Sequence, residues 1–117
     1  MGKLKSYHWG VTLLLLCFSA HLTAKTPEYH LTLEDHVFTP SELNIPANQK
    51  VKLIIFNKDA VVEEFDSFDL NREKVLFPKT KSIIFVGPLK AGKYEYFGEY
   101  HPSSARGMIT VGGSDVN

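Results

Sequence analysis

The segment YHLTLE at residues 29–34 determines the fold class, because apolar and polar residues alternate along it. Tyr29, Leu31 and Leu33 fall on one face, and the polar side chains fall on the other. A period of two is that of a β-strand with one buried face, whereas a helix repeats about every 3.6 residues. The segment therefore predicts a sheet that packs on an apolar core.

The same alternation returns further along the chain. Residues 50–57, KVKLIIFN, alternate again, and Ile54 and Phe56 make both faces apolar, as expected at the centre of a sheet. Shorter strands separated by Pro- and Gly-containing turn signals are predicted at residues 43–45, 82–86, 94–98 and 107–111. The charged segment NREK at residues 71–74 predicts a loop or one helical turn. About seven short strands separated by turns predict an all-β sandwich or a small barrel.

The N-terminal region has the pattern of a secretory signal. Lys3 and Lys5 form a basic start, an apolar run covers residues 11–18, and the stretch ending at Ala24 offers a cleavage site. We predict a signal peptide at residues 1–24 and a single domain at residues 25–117. The run is shorter than the roughly 20 apolar residues of a membrane-spanning helix. An uncleaved anchor is the alternative, and a lipoprotein is disfavoured because Cys17 follows a leucine inside the apolar run.

Cleavage after Ala24 would change the composition of the domain. The full chain of 117 residues carries 13 basic and 13 acidic residues, so its formal charge is zero. Removal of Lys3 and Lys5 would leave 93 residues with a net charge of −2. The only cysteine, Cys17, would be lost too, which excludes thiolate chemistry and an internal disulfide. A domain of this size that lies outside the cytoplasm without disulfides needs a good apolar core.

Composition and motifs also exclude several classes of function. The absence of a basic excess gives no support to nucleic-acid binding, and a hydrophobic content of 44% excludes a disordered chain. Phosphate-loop and dinucleotide-binding glycine patterns are absent. Ser103 and Ser104 lie near His101 but lack the glycines of a nucleophile elbow, so a catalytic triad is disfavoured. No small organic substrate is expected.

Candidate metal ligands fall at three separate places in the sequence. His36 follows the first predicted strand, an acidic segment follows the turn after Asn57, and Glu99 and His101 lie between the last two strands. The acidic segment supplies Glu63, Glu64 and Asp66. A β-sandwich gathers alternate loops at one end, so these residues can converge. Imidazoles with carboxylates suit Cu(II), Fe(II), Mn(II) or Zn(II), whereas a blue-copper site cannot be built without a thiolate.

Each of these residues also has an ordinary structural interpretation. A histidine or an acidic side chain in a loop is more often a solvated surface group than a ligand. His30 falls on the polar face of the first strand, which predicts plain surface, and Met108 falls in the last strand, which predicts packing.

Two groups of motifs resemble the cupredoxin family. The first half of the domain contains FTP at residues 38–40, LNIPA at residues 43–47 and a strand that ends at Asn57. The second half contains YEYFGEYH at residues 94–101, followed by GMITV at residues 107–111, which is similar to the cupredoxin copper loop. The resemblance covers essentially all of residues 25–117, and it implies a Greek-key β-sandwich.

The sequence departs from the cupredoxin ligand set. The cysteine that cupredoxins place three residues before the second histidine is Gly98 here, and the first histidine position is taken by Glu63 or Glu64. Met108 is seven residues after His101, later than the usual axial methionine. Only His101 matches the usual set. The resemblance therefore implies a carboxylate–histidine site for copper, iron or both, formed from His36, Glu63, Glu64, Asp66, Glu99 and His101.

Two further blocks resemble a particular branch of the family. EEFDS at residues 63–67 and LNREK at residues 70–74 are similar to cupredoxin-like periplasmic proteins of bacterial iron uptake. GPLK at residues 87–90 and the Phe-Gly-Glu ending are shared with EfeO-type iron-uptake proteins. This resemblance implies a periplasmic domain that binds or oxidises Fe(II), with copper as electron acceptor. It also implies an inner-membrane iron permease and other periplasmic uptake components as partners.

Two alternatives stay open: a copper-binding or copper-buffering cupredoxin unconnected to iron, and a metal-free interaction subunit of a membrane complex. The sequence does not decide between Glu63 and Glu64, since neighbours on a regular strand face opposite sides. Nor does it decide whether the domain turns over substrate alone, because a single small site must pass its electron to a partner.

Overall fold

The computed structural model describes residues 2–3 and 25–112. The predicted signal peptide and its cleavage site fall almost entirely outside these residues. In the described part, no helix is long and apolar enough to cross a membrane.

Every regular element within residues 25–112 is a β-strand, which confirms the all-β prediction. The strands are β1 (Glu28–Glu34), β2 (Val37–Thr39), β3 (Glu42–Ile45), β4 (Val51–Asn57), β5 (Glu63–Ser67), β6 (Arg72–Leu76), β7 (Lys81–Val86), β8 (Gly92–Gly98) and β9 (Arg106–Val111).

These strands form two sheets that enclose one apolar core. The four-stranded sheet has the order β2-β1-β4-β7, and the five-stranded sheet has the order β3-β9-β8-β5-β6. The pairs β1–β4 and β3–β9 are parallel, and the other pairs are antiparallel. Strand β4 lies inside its sheet, as its two apolar faces predicted. The sandwich is the predicted architecture, with nine strands instead of about seven.

The prediction of a loop or a helical turn at residues 71–74 is wrong. Arg72–Leu76 form the edge strand β6, which pairs with β5 alone. The first four residues of β6 are exposed and only Leu76 is buried, so the strand carries no apolar alternation for a sequence pattern to detect. Charged edge strands of this kind protect a sheet from pairing with other chains.

Three aromatic rings occupy the centre of the core. Phe38, Phe65 and Tyr96 are nearly inaccessible, and their ring centroids lie 5.1 to 6.2 Å apart. Tyr96 faces Gly107 across the β8–β9 pair, where a Cβ atom would lie 2.1 Å from the tyrosine ring. A glycine is therefore required at residue 107 to make room for the ring. The burial of Tyr96 also raises the pKa of its hydroxyl.

The buried side chain of Asn57 organises the end of the sandwich at which the candidate ligands meet. Its Nδ2 donates to the carbonyl oxygens of Val61 and Leu76, at 2.9 and 3.0 Å, and its Oδ1 accepts the N–H of Asp59 at 2.9 Å. These bonds shape the turn between β4 and β5. The turn delivers Glu63 to the first position of β5, directly beneath the loop between β8 and β9.

Candidate metal centre

Three of the predicted residues converge at one end of the sandwich. His36 lies in the turn between β1 and β2, Glu63 begins β5, and His101 lies in the loop between β8 and β9. One ligand atom from each lies within 4.8 Å of the others. The prediction that loops of distant sequence gather these side chains therefore agrees with the geometry for His36, Glu63 and His101.

The carboxylate of Glu63 is at the centre of this group. Its side chain is 1% exposed, and Oε1 accepts the backbone N–H groups of Glu64 and Tyr100 at 2.9 and 2.8 Å. Oε2 lies 2.7 Å from Nδ1 of His101. Glu63 is thus the inward-facing member of the Glu63–Glu64 pair, which the sequence left open. Two backbone donors fix its orientation and leave Oε2 directed at the imidazole.

Gly98 provides the space that this carboxylate occupies. A Cβ atom at residue 98 would lie 2.7 Å from Cδ and 2.9 Å from Oε2 of Glu63, and 2.8 Å from Cβ of Ala105. Real side chains essentially never approach so closely. Any larger residue at position 98 would compete with the Glu63 carboxylate for the same volume.

The loop that carries His101 is held by its own backbone. The N–H of His101 donates to the carbonyl of Gly98 at 3.2 Å, and the carbonyl of His101 accepts the N–H of Ala105 at 2.8 Å. Gly98 in turn donates to the carbonyl of Ala105 at 2.8 Å. The His101 side chain remains 34% exposed, so it forms the solvent-facing rim of the group.

The imidazole of His36 lies flat against that of His101. The ring centroids are 3.5 Å apart and the planes differ by 12°. Nδ1 of His36 is buried and has no hydrogen-bond partner in the described structure. A buried polar atom without a partner is unusual in a folded protein and requires a structural explanation.

The donor set fits a divalent metal ion. Two imidazoles and one carboxylate suit borderline and hard ions such as Cu(II), Zn(II) and Fe(II). The convergence of one ligand atom from each of the three residues and the contact between Glu63 and His101 are consistent with such an ion. Soft Cu(I) is disfavoured, since no thiolate or thioether belongs to the group.

The other three predicted ligands form a separate group on the outer face of the five-stranded sheet. Glu64, Asp66 and Glu99 do not belong to the cluster of His36, Glu63 and His101. Tyr100 donates its hydroxyl to Oε2 of Glu64 at 3.4 Å. The ligand role of these three carboxylates stays a prediction, and the structure places them beside the site.

Negative charge accumulates in this outer group. A hydrogen bond with Asp66, loss of hydration, and the charges of Asp66, Glu64 and Glu73 raise the pKa of Glu99. The charge of Glu64 is the main cause that raises the pKa of Tyr100. Carboxylates therefore cluster next to the loop that carries His101.

Three further predictions can be compared with the structure. His30 is exposed on β1, as its place on the polar face predicted. Met108 is a half-buried residue of β9, as predicted, and does not belong to the three-residue group. Sequence reasoning missed Asp59, which contacts the turn of His36. Little in the sequence pointed to this contact, because an acidic residue two positions after an asparagine is common in turns.

Comparison with known proteins identifies the family. The sequence profile of the cupredoxin-like domain matches residues 8–111. The chain belongs to the cupredoxin-like domain family. An uncharacterized protein of Rickettsia prowazekii (strain Madrid E) is 45% identical over 84 residues, which cover 72% of this chain and 67% of that protein.

Solved structures confirm the cupredoxin-like fold. Auracyanin A, a blue copper protein of Chloroflexus aurantiacus, matches with a TM-score of 0.64 and 15% identity, over 74% of this chain and 99% of that one. The metal-binding domain of the Cu(I)-exporting ATPase CopA of Streptococcus pneumoniae D39 matches with a TM-score of 0.62 and 11% identity, over 74% and 85%. A purple cupredoxin of Nitrosopumilus maritimus matches with a TM-score of 0.54 and 21% identity, over 70% of this chain and 97% of that one. At these identities the likeness establishes the fold.

The cupredoxin-like fold makes Gly98 and Glu63 a coupled pair. Gly98 stands where the family resemblance expects the copper-binding cysteine, and the Glu63 carboxylate fills the space that a side chain at residue 98 would need. A side chain at residue 98 and the Glu63 carboxylate therefore exclude each other.

This coupling can be tested by Gly98→Ala. The added methyl group overlaps the Glu63 carboxylate and Ala105, so we expect the free energy of unfolding to fall by about 1–3 kcal/mol, as in other overpacked cores. In a Glu63→Ala background the same substitution should cost distinctly less. Urea denaturation of the four proteins measures the coupling. An equal cost in both backgrounds would contradict the shared volume.

Proposed function

We propose that this chain binds a Cu(II) ion through His36, Glu63 and His101 and supports high-affinity iron uptake outside the cytoplasm. The observation that carries the proposal is the Glu63 carboxylate, which is buried, oriented by two backbone donors and aimed at Nδ1 of His101. The cupredoxin-like fold and the copper-containing structural neighbours support the choice of metal.

The residues present favour a centre that differs from blue copper. Replacement of a thiolate by a carboxylate removes the soft ligand that gives blue-copper sites their fast electron transfer and favours the higher charge of Cu(II). A copper ion held by His36, Glu63 and His101 would supply a one-electron acceptor for Fe(II), and a redox partner would be needed to reoxidise it. The chain's own contribution is to hold the three ligands in place and to keep His101 accessible from solvent.

The acidic outer group supports the iron part of the proposal. Glu64, Asp66 and Glu99 lie beside the His101 rim, and carboxylates bind Fe(III) more strongly than Fe(II) because hard anions gain most from higher charge. Iron held there would be easier to oxidise. In this proposal the domain is periplasmic and acts with an inner-membrane iron permease and other uptake components, as the sequence resemblance implies.

A second candidate has an observation of its own. Two histidines and one carboxylate are also the ligand set of non-haem Fe(II) sites with open positions. Fe(II) itself can therefore be the ion at His36, Glu63 and His101, with no copper involved. A copper-binding protein unconnected to iron is the remaining alternative.

Metal titration tests the proposed centre. We expect the wild type to bind one Cu(II) per chain, without intense blue colour and with the electron paramagnetic resonance signal of a nitrogen- and oxygen-ligated ion. Glu63→Gln and His101→Ala should each weaken binding by at least about 100-fold, more than is typical of groups outside the ligand shell. His30→Ala is the matched control, since His30 is exposed on β1 and should bind like wild type. Anaerobic titration with Fe(II) decides between the two ions. Binding of Cu(II) or Fe(II) by His101→Ala with wild-type affinity would contradict the site.

Uptake measurements test the role in iron transport. A host strain that lacks this chain should accumulate radioactive iron from Fe(II) more slowly at limiting concentrations. Wild type and His30→Ala should restore the rate, whereas His101→Ala should not. Unchanged iron uptake in the deletion strain would contradict the iron role and leave a copper-binding function in its place.

A further inference from the structure

The turn that presents His36 has an unfavourable backbone conformation. Asp35 and His36 have φ angles of 52° and 59°, which place two successive non-glycine residues in the left-handed region. That region costs an L-residue of order 1–3 kcal/mol, and it persists only where neighbouring groups enforce it. The position of the His36 imidazole therefore depends on whatever holds this turn.

The carboxylate of Asp59 holds it. Oδ1 of Asp59 accepts the N–H of Asp35 at 2.7 Å, and Oδ2 accepts the N–H of His36 at 3.0 Å. The Asp59 side chain is 11% exposed, so the carboxylate itself is largely shielded from water. Asp59 is itself anchored, because its N–H donates to the buried side chain of Asn57. A continuous set of hydrogen bonds thus runs from the core to the His36 turn.

The same carboxylate faces the His36 ring. Oδ2 of Asp59 lies 3.5 Å from Nδ1 of His36, the buried nitrogen that has no hydrogen-bond partner. A neutral imidazole carries one N–H and one lone pair, and a carboxylate can only accept. A proton on Nδ1 therefore faces Asp59, and the lone pair is then on Nε2. In metal sites, histidine ligands commonly donate their second ring nitrogen to a carboxylate in this way.

We propose that Asp59 is the positioning residue of the centre: it fixes the Asp35–His36 turn and selects the His36 tautomer whose Nε2 binds the ion held by Glu63 and His101. The proposal rests on the proposed function, since it assigns a role in metal binding. It goes further by naming the His36 nitrogen that binds and the group that selects the tautomer.

A purely structural role is the competing explanation, because loss of Asp59 would also release the strained turn. A second substitution separates the two roles. Glycine adopts positive φ without the steric cost of a side chain, so Asp35→Gly relieves part of the strain. The double variant Asp35→Gly/Asp59→Asn should recover stability lost in Asp59→Asn, while the acceptor for Nδ1–H stays altered.

The experiment measures binding of Cu(II) and Zn(II) to the purified wild type and variants, together with nitrogen NMR spectra of the histidines in the Zn(II)-loaded protein. We expect Asp59→Asn to bind both ions about 10- to 100-fold more weakly, the usual effect of removing such a partner. The wild-type His36 should show a protonated Nδ1 and a metal-bound Nε2. Asp69→Asn is the matched control, since Asp69 likewise accepts a backbone N–H, that of Glu95 at 2.8 Å, but outside the site.

The outcomes are distinct. Weak binding that persists in Asp35→Gly/Asp59→Asn after stability recovers supports the proposal, whereas affinity that recovers together with stability overturns it. A wild-type His36 that binds Zn(II) through Nδ1 also overturns it. If the wild type binds metal and Asp59→Asn binds as tightly, Asp59 has no such role and the proposed function stands. If the wild type binds neither ion, the proposed function fails and the positioning role fails with it.

Discussion

A carboxylate loses most of its hydration when it is buried, and it is stable there only if hydrogen bonds or opposite charge compensate that loss. Glu63 meets this requirement through the N–H groups of Glu64 and Tyr100 and through the imidazole of His101. The N–H of Glu64 belongs to β5, and that of Tyr100 belongs to the loop between β8 and β9. The carboxylate therefore joins two neighbouring segments of the five-stranded sheet at the end where the ligands meet.

The volume taken by this carboxylate determines the chemistry of the site. Because Gly98 has no side chain, the Glu63 carboxylate can occupy the space that a side chain would need at the position where the family resemblance expects a cysteine. In the proposed centre a hard anionic donor takes the place of a soft one, which favours an ion of higher charge. Phe65, two residues along β5 from Glu63, belongs to the aromatic core with Phe38 and Tyr96, so the centre lies on a rigid part of the fold.

Sequence patterns predicted the strands whose burial leaves a recognisable pattern of apolar residues within the strand itself. Period-two alternation located β1 and β4, since each has a strongly apolar inner face, whereas turn signals on either side located β7. It failed at β6, where the exposed edge position removes the apolar signal and leaves four solvated residues in a row. It also failed at β2, which has only three residues, and at β5, where acidic residues interrupt the apolar pattern although most of the strand is buried.

The site was predictable in its residue types and less so in its geometry. His36, Glu63 and His101 were all candidates, but so were Glu64, Asp66 and Glu99, because loop carboxylates look alike in a sequence. Only the register of β5 shows that Glu63 faces inward and Glu64 does not. Asp59 was not predictable as a partner of His36, since their contact joins residues 23 positions apart through a turn held by Asn57.

The most direct test of the central claim is a crystal structure of the protein grown or soaked with Cu(II), with anomalous scattering recorded at the copper edge. We expect one strong peak within bonding distance of Oε2 of Glu63, Nδ1 of His101 and a nitrogen of His36, with the Glu63 carboxylate still lying over Gly98. A peak bound instead by Glu64, Asp66 or Glu99, with the Glu63–His101 contact unchanged, would contradict it.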